Sequence, residues 1–174
     1  MARLKNEILP IKQFFNGYFE SHGYKVTDTL PADLADNLRH LGLYGINVSD
    51  KFDGKGWGFS ESLFASEPES QVTDVAFSLL GHRCVIDILQ ECGSHEQKQR
   101  FLTKLVNGSL VASEAIYEME SHEDDIFSTK AQHEVEANTW VLNGSKSFVI
   151  APPKPSKLLN CFGYCTNTKG KHTK

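Results

Sequence analysis

The hydrophobic pattern of this chain changes period at Asn107-Gly108, and that change restricts the folds open to it. Before it, apolar residues recur every three or four positions, the spacing of one helix face. After it they come in short β-favouring runs divided by turn residues. The plainest of these is Trp140-Val-Leu-Asn-Gly-Ser-Lys-Ser-Phe-Val-Ile150, where the turn pair Asn143-Gly144 between two such runs predicts a hairpin. The expected fold class is α+β, with an all-helical N-terminal domain followed by a truncated antiparallel β domain. The boundaries read as 1–108 for the helical domain, 109–166 for the partial β domain and 167–174 for a basic tail.

Within the first part, Leu4, Ile8, Ile11, Phe14, Phe15, Tyr18 and Phe19 predict a first helix, which Pro10 kinks or starts and Gly23 ends. Leu34, Leu38 and Leu41 stripe a second helix that opens at Pro31 and closes at Gly42. The glycines of segment 53–58 predict a loop. Two helices broken near Pro68 fill residues 60–92, the second carrying Val75, Leu79, Leu80, Cys84, Ile88 and Leu89 inward. Ser94-His95-Glu96-Gln97 has the form of a capping box, and Phe101, Leu102 and Leu105 face the core behind it. Strands are expected at 111–117, 128–135, 140–142, 147–150 and 158–165.

Charge and cysteine content exclude several function classes. The net charge of −4 argues against a nucleic-acid binder, which would show a basic face. No apolar run approaches the ~20 residues of a membrane helix. Four cysteines in 174 residues do not make a secreted disulfide framework. The start Met-Ala-Arg-Leu-Lys meets Glu7 too soon for a convincing transit peptide.

Several residue groups carry possible chemistry. Residues 114–125 hold six carboxylates around His122, a set able to hold a divalent ion but better read as an exposed acidic loop, because nothing fixes the spacing. Cys161-x3-Cys165 with His172 is half a zinc site at most. His82-Arg83-Cys84 sets a thiol beside a base, although on an apolar stripe. Gly54-Lys55-Gly56-Trp57-Gly58 imitates a phosphate loop but lacks the Gly-Lys-Ser/Thr that would complete it.

Three motifs bring in a family. The segment Leu38-Arg-His-Leu-Gly-Leu-Tyr-Gly-Ile-Asn-Val48 with its glycine loop resembles the N-terminal helical domain of the acyl-CoA dehydrogenases. Cys92-Gly-Ser-His-Glu-Gln-Lys-Gln-Arg-Phe-Leu-Thr-Lys-Leu-Val-Asn-Gly108 is similar to their G-T-x-x-Q-K-x-x-Y-L-P-x-L-A-x-G helix, and Leu142-Asn-Gly-Ser-Lys146 is the third match. The spacing resembles most the very-long-chain branch and its mitochondrial complex I assembly relative. The resemblance implies FAD held between a middle β domain and a C-terminal helical domain, and a fatty acyl-CoA that loses its α proton to a carboxylate and its β hydrogen to the flavin. It also implies a mitochondrial location and a homo-oligomer or family-member partner. A chain ending at Lys174 is expected to lack the C-terminal domain that holds the base, so its own catalytic completeness is in question.

Carried over residue by residue, the family's flavin loop F-x-L-T-E-P-x-x-G-S-D falls on residues 114–124. Ile116 keeps the apolar position and Glu118 the acid, while Tyr117 replaces the threonine that meets the flavin pyrimidine. Glu123 replaces the serine near the acyl-CoA. The W-I-T of the hairpin becomes Phe148, Val149 and Ile150, without the hydroxyl that reaches the flavin. Each lost hydrogen bond to a ligand costs about 1–3 kcal/mol, and extra carboxylates repel its phosphates, so the expectation is weak FAD binding or none. The alternative function is then that of a non-catalytic homologue acting as an interaction or assembly partner.

Overall fold

The computed structural model describes residues 2–22, 32–119 and 128–149, with the backbone of three short strands at 158–161, 164–166 and 172–173. Five helices come first: α1 (Ala2–His22), α2 (Ala32–His40), α3 (Phe59–Glu69), α4 (Thr73–Cys92) and α5 (His95–Val106). Six strands follow: β1 (Ala112–Ala115), β2 (Lys130–Glu134), β3 (Thr139–Asn143), β4 (Leu158–Cys161), β5 (Tyr164–Thr166) and β6 (His172–Thr173). The α+β class read from the periodicity is the class observed. The chain divides into two compact units, the first running to Ser113 and the second beginning at Glu114.

The helical unit is built on the expected stripes. Ile8, Ile11 and Phe15 of α1 meet Leu34 and Leu38 of α2 in one apolar cluster that also takes Leu43, Tyr44, Ile46 and Trp57. Segment 43–48 is buried at every residue but Asn47 and folds as a 3₁₀ turn over Leu43–Gly45. The capping box of α5 forms as its sequence demands, with Gln97 N–H donating to Ser94 Oγ at 3.2 Å and Ser94 N–H to Gln97 Oε1 at 2.8 Å. Gly108 ends the helical part at φ 67°, where a Cβ would lie 2.6 Å from the Tyr44 ring. Both the backbone angle and the contact require glycine there.

One detail of the helices follows the pattern, the break near Pro68, and one corrects it, the buried face of α4. Pro68 sits inside the last turn of α3, and the break follows it at 70–72. The buried stripe of α4 is Val75, Ser78, Leu79, His82, Val85 and Ile86, whereas Leu80 is 57% exposed and Cys84, Ile88 and Leu89 are half-buried. A helix that buries a histidine and a serine turns its apolar residues partly outward, and a hydrophobicity pattern misplaces the face.

The hairpin is also relocated. β2 and β3 pair antiparallel from Lys130↔Asn143 to Glu134↔Thr139, so the hairpin turn is 135–138, with Asn138 at φ 48°. Asn143 is instead the last residue of β3, and residues 144–149 form no strand. Gly144 is needed for a close approach: a Cβ there would meet Thr129 Oγ1 at 2.3 Å. The four-stranded sheet runs β3-β2-β5-β6, with β5 parallel to β2 and β6 antiparallel to β5.

Candidate functional site

Within the second unit, residues 116–118 and 144–148 are tied together by one buried carboxylate. Glu118 is 2% exposed. Its Oε1 accepts from Thr129 Oγ1 at 2.6 Å, and its Oε2 accepts from Thr129 N–H at 3.0 Å and from the backbone and hydroxyl of Ser128. The Lys146 ammonium pairs with the same carboxylate and donates to the Ile116 carbonyl at 3.1 Å. Burial alone would raise the Glu118 pKa, but hydrogen bonds from Lys146, Ser128 and Thr129 outweigh it and hold the carboxyl well below the usual carboxylate range. A charge this deeply buried is tolerated because every oxygen is met and a cation is adjacent.

The clamp decides what this face presents. Ser147 N–H donates to the Tyr117 carbonyl at 2.9 Å, which locks the two segments side by side. Tyr117 and Phe148 then lie with ring centroids 5.2 Å apart, 55% and 79% exposed. Phe148 adopts φ 54°, a strained conformation for a bulky residue and one that the surrounding ties must enforce. Ile116 and Met119 add exposed apolar surface, and Val149 is half-buried.

Of the residues expected to meet a flavin, Ile116, Tyr117 and Phe148 are therefore at the surface and adjacent, whereas the Glu118 side chain points into the clamp. Ile150 and Glu123 lie outside the described residues, as do His122, the Cys161 and Cys165 side chains and the 167–171 part of the basic tail. The fit to FAD is limited. Ile116 and Tyr117 have their carbonyls engaged by Lys146 and Ser147. Phe148 and Val149 carry no polar side-chain atom, so the Tyr117 hydroxyl is the one side-chain donor among these positions. This face suits stacking against a flat ring and does not suit a hydrogen-bonded pyrimidine.

Pattern reasoning missed Ser128, Thr129 and Lys146. Lys146 was visible as the end of the Leu142–Lys146 motif, and a Glu flanked by apolar residues needs such a partner once buried. In the helical unit, His82 and Arg83 prove to be structural. The Ala112 N–H donates to His82 Nδ1 at 3.0 Å, and burial, helped by the Arg83 charge, lowers the His82 pKa to about 4. Arg83 pairs with buried Glu69 at 2.7 Å. Among the described residues no group of three or more His, Cys, Asp or Glu could hold a metal ion.

Five helices lead into a β unit clamped through Glu118 and Lys146, and this arrangement can be set beside known proteins. The profile of the acyl-CoA dehydrogenase N-terminal domain matches residues 11–109. The chain belongs to the acyl-CoA dehydrogenase family. It is 28% identical over 125 residues to the mitochondrial isovaleryl-CoA dehydrogenase of Bos taurus, covering 70% of this chain and 29% of that protein. With the Solanum tuberosum enzyme of the same name it shares 29% over 156 residues, 86% of this chain and 37% of the relative. The Bacillus anthracis acyl-CoA dehydrogenase complexed with FAD superposes with a TM-score of 0.77 at 22% identity, over 99% of this chain and 30% of that one, which shows the fold. The chain thus spans about a third of these relatives' length. No helix among the described residues is long and apolar enough to cross a membrane.

Proposed function

We propose that this chain serves FAD-dependent α,β-dehydrogenation of an acyl-CoA thioester, as the helical domain and leading strands of that fold, and that alone it binds FAD weakly and does not turn over. Family membership supports the first half. The observation that carries the second is the clamped face of residues 116–119 and 148, whose scaffold ties are intact and whose exposed side chains are nearly all apolar. The domain limits near residues 108 and 166 and a mitochondrial location belong to the same proposal; the similar isovaleryl-CoA dehydrogenases are mitochondrial, although bacterial acyl-CoA dehydrogenases match as well. The very-long-chain branch expected from motif spacing loses support, because the relatives above are isovaleryl-CoA dehydrogenases.

The test is purification after expression with added FAD, followed by absorbance and by dye reduction with isovaleryl-CoA and palmitoyl-CoA. A colourless protein without turnover is expected. Stoichiometric FAD, or turnover above a heat-killed control, overturns the reading, and the preferred thioester then decides the branch. One observation favours the assembly-partner alternative. Phe59, Leu63 and Phe64 on α3 and Phe77 and Leu80 on α4 are all more than half exposed, and apolar surface of that kind seeks a partner. Light scattering that finds a strict monomer at high concentration argues against a homo-oligomer.

A further inference from the structure

The helical unit contains a cavity of about 400 Å³ between segment 47–58 and the helices α3 and α4. Its lining mixes two kinds of side chain. Trp57, Phe59, Leu63 and Leu80 supply apolar surface, the last three more than half exposed, and Asn47, Ser62, Ser66, Arg83 and Asp87 supply polar groups. Asn47 donates through Nδ2 to Asp87 Oδ1, which fixes the amide and leaves Asn47 Oδ1 buried without a partner. The Ser62 hydroxyl is likewise buried without a partner.

Arg83 also lines this cavity, but its charge is already matched. The guanidinium donates to both Glu69 oxygens at 2.7 and 2.8 Å and to the Leu43 carbonyl at 2.8 and 3.2 Å. Asp87 accepts from Asn47 and Gln90 and has no ion-pair partner among the described residues. Burial raises the Asp87 pKa, with the hydrogen bonds from Asn47 and Gln90 opposing it. Asn47, Ser62 and Asp87 therefore offer acceptors, among them a carboxylate with no ion pair among the described residues, so this lining favours a ligand that donates and is positive.

We propose that this cavity binds a small primary amine, its ammonium head held by Asn47 Oδ1, Ser62 Oγ and the Asp87 carboxylate and its aliphatic or aromatic body lying against Trp57, Phe59, Leu63 and Leu80. An ammonium carries three donors and no acceptor, which is what three acceptors require. A carboxylate head of the same size would set acceptor against acceptor beside Asp87. An alcohol brings a single donor and no charge. The proposal stands on the cavity alone and does not depend on flavin or on acyl-CoA chemistry.

The test uses the full chain carrying Trp140→Phe, which leaves Trp57 as the single tryptophan reporter. n-Hexylamine, hexanol and hexanoate are titrated in parallel at neutral pH, where the amine is protonated. The expected result is a saturable change in Trp57 emission for hexylamine, about tenfold or more tighter than for hexanol, with no saturation by hexanoate. Asp87→Asn weakens the amine about tenfold and leaves hexanol unchanged, and Ser62→Ala weakens it severalfold, with helical circular dichroism unaltered. Hexanoate binding as tightly as hexylamine, no saturable amine binding, or an Asp87→Asn variant with unchanged amine affinity would each overturn the proposal.

Discussion

The two units bury charge under opposite circumstances. In the helical unit, Glu69 pairs with Arg83, and His82 is enclosed, inside a structure that apolar side chains already close: among the described residues, twenty buried hydrophobic ones run from Ile8 to Ala112. In the second unit, among the described residues after Glu114, the buried side chains are Ala115, Glu118 and Thr129, and all five residues of β3 are exposed. There the ionic clamp is most of the interior. The lesson is that removing a charge should cost the first unit a local defect and the second its organisation.

Glu118→Ala is the most direct way to break that contrast. It removes the Glu118 carboxylate from the Lys146 side chain, which is 8% exposed. Loss of one member of a buried pair costs about 3–5 kcal/mol. Amide hydrogen exchange should lose protection across 128–147 while the helices keep theirs. A double replacement, Glu118→Leu with Lys146→Met, should cost clearly less than the two single changes added together. Full protection of 128–147 in the Glu118→Ala variant would show that the clamp is not what organises this unit.

Acid separates the two units by pH window. His82 falls from its ordinary 6.5 to about 4 on folding, so the folded state takes up fewer protons than the unfolded chain between those values. Stability from this group is complete above 6.5, declines as pH falls and is gone below about 4, a change of about 3 kcal/mol. Glu118 is also depressed, and its contribution is present above the ordinary carboxylate value of 4.5 and lost only below it. The helical unit should therefore weaken first, from pH 6.5 downward, with the clamp failing at lower pH. Denaturation midpoints of the chain and of His82→Phe across pH 4–7 check this, the variant being flat through the histidine window.

How far the sequence foretold this structure depended on the kind of force involved. The stripes of α1 and α2 and the cap of α5 were legible because periodicity and capping are local. The face of α4 was misread because His82 and Ser78 enter the core through partners far along the chain, and no hydropathy value announces an Ala112 N–H. Asn143-Gly144 has turn chemistry but serves a close approach to Thr129, while the real turn at 135–138 lacks the favoured pair. Gly144→Ala should cost about 1–3 kcal/mol through overpacking against Thr129, read as earlier loss of exchange protection in β2 and β3. An unchanged midpoint would return Gly144 to a generic turn role. The clamp was half legible: the family motif flagged Glu118, but as a flavin neighbour, and Ser128 and Thr129 gave no signal at all.

The mildest expected effect lies at the other end of the contrast. Ser94→Ala removes the hydroxyl that accepts from Gln97 N–H, and the Gln97 side chain keeps its bond to the Ser94 backbone because that donor survives the change. One of the two reciprocal bonds is lost at an exposed helix start, and such losses cost about 1 kcal/mol. Leu102 and Leu105 remain fully buried further along α5, so the helix should fray at 95–98 and hold beyond. Exchange at single-residue resolution distinguishes this from a general loosening. If protection fell through Leu105 as well, α5 would depend on its cap as the second unit depends on its clamp, and the division between an apolar and an ionic mode of stabilisation would have to be given up.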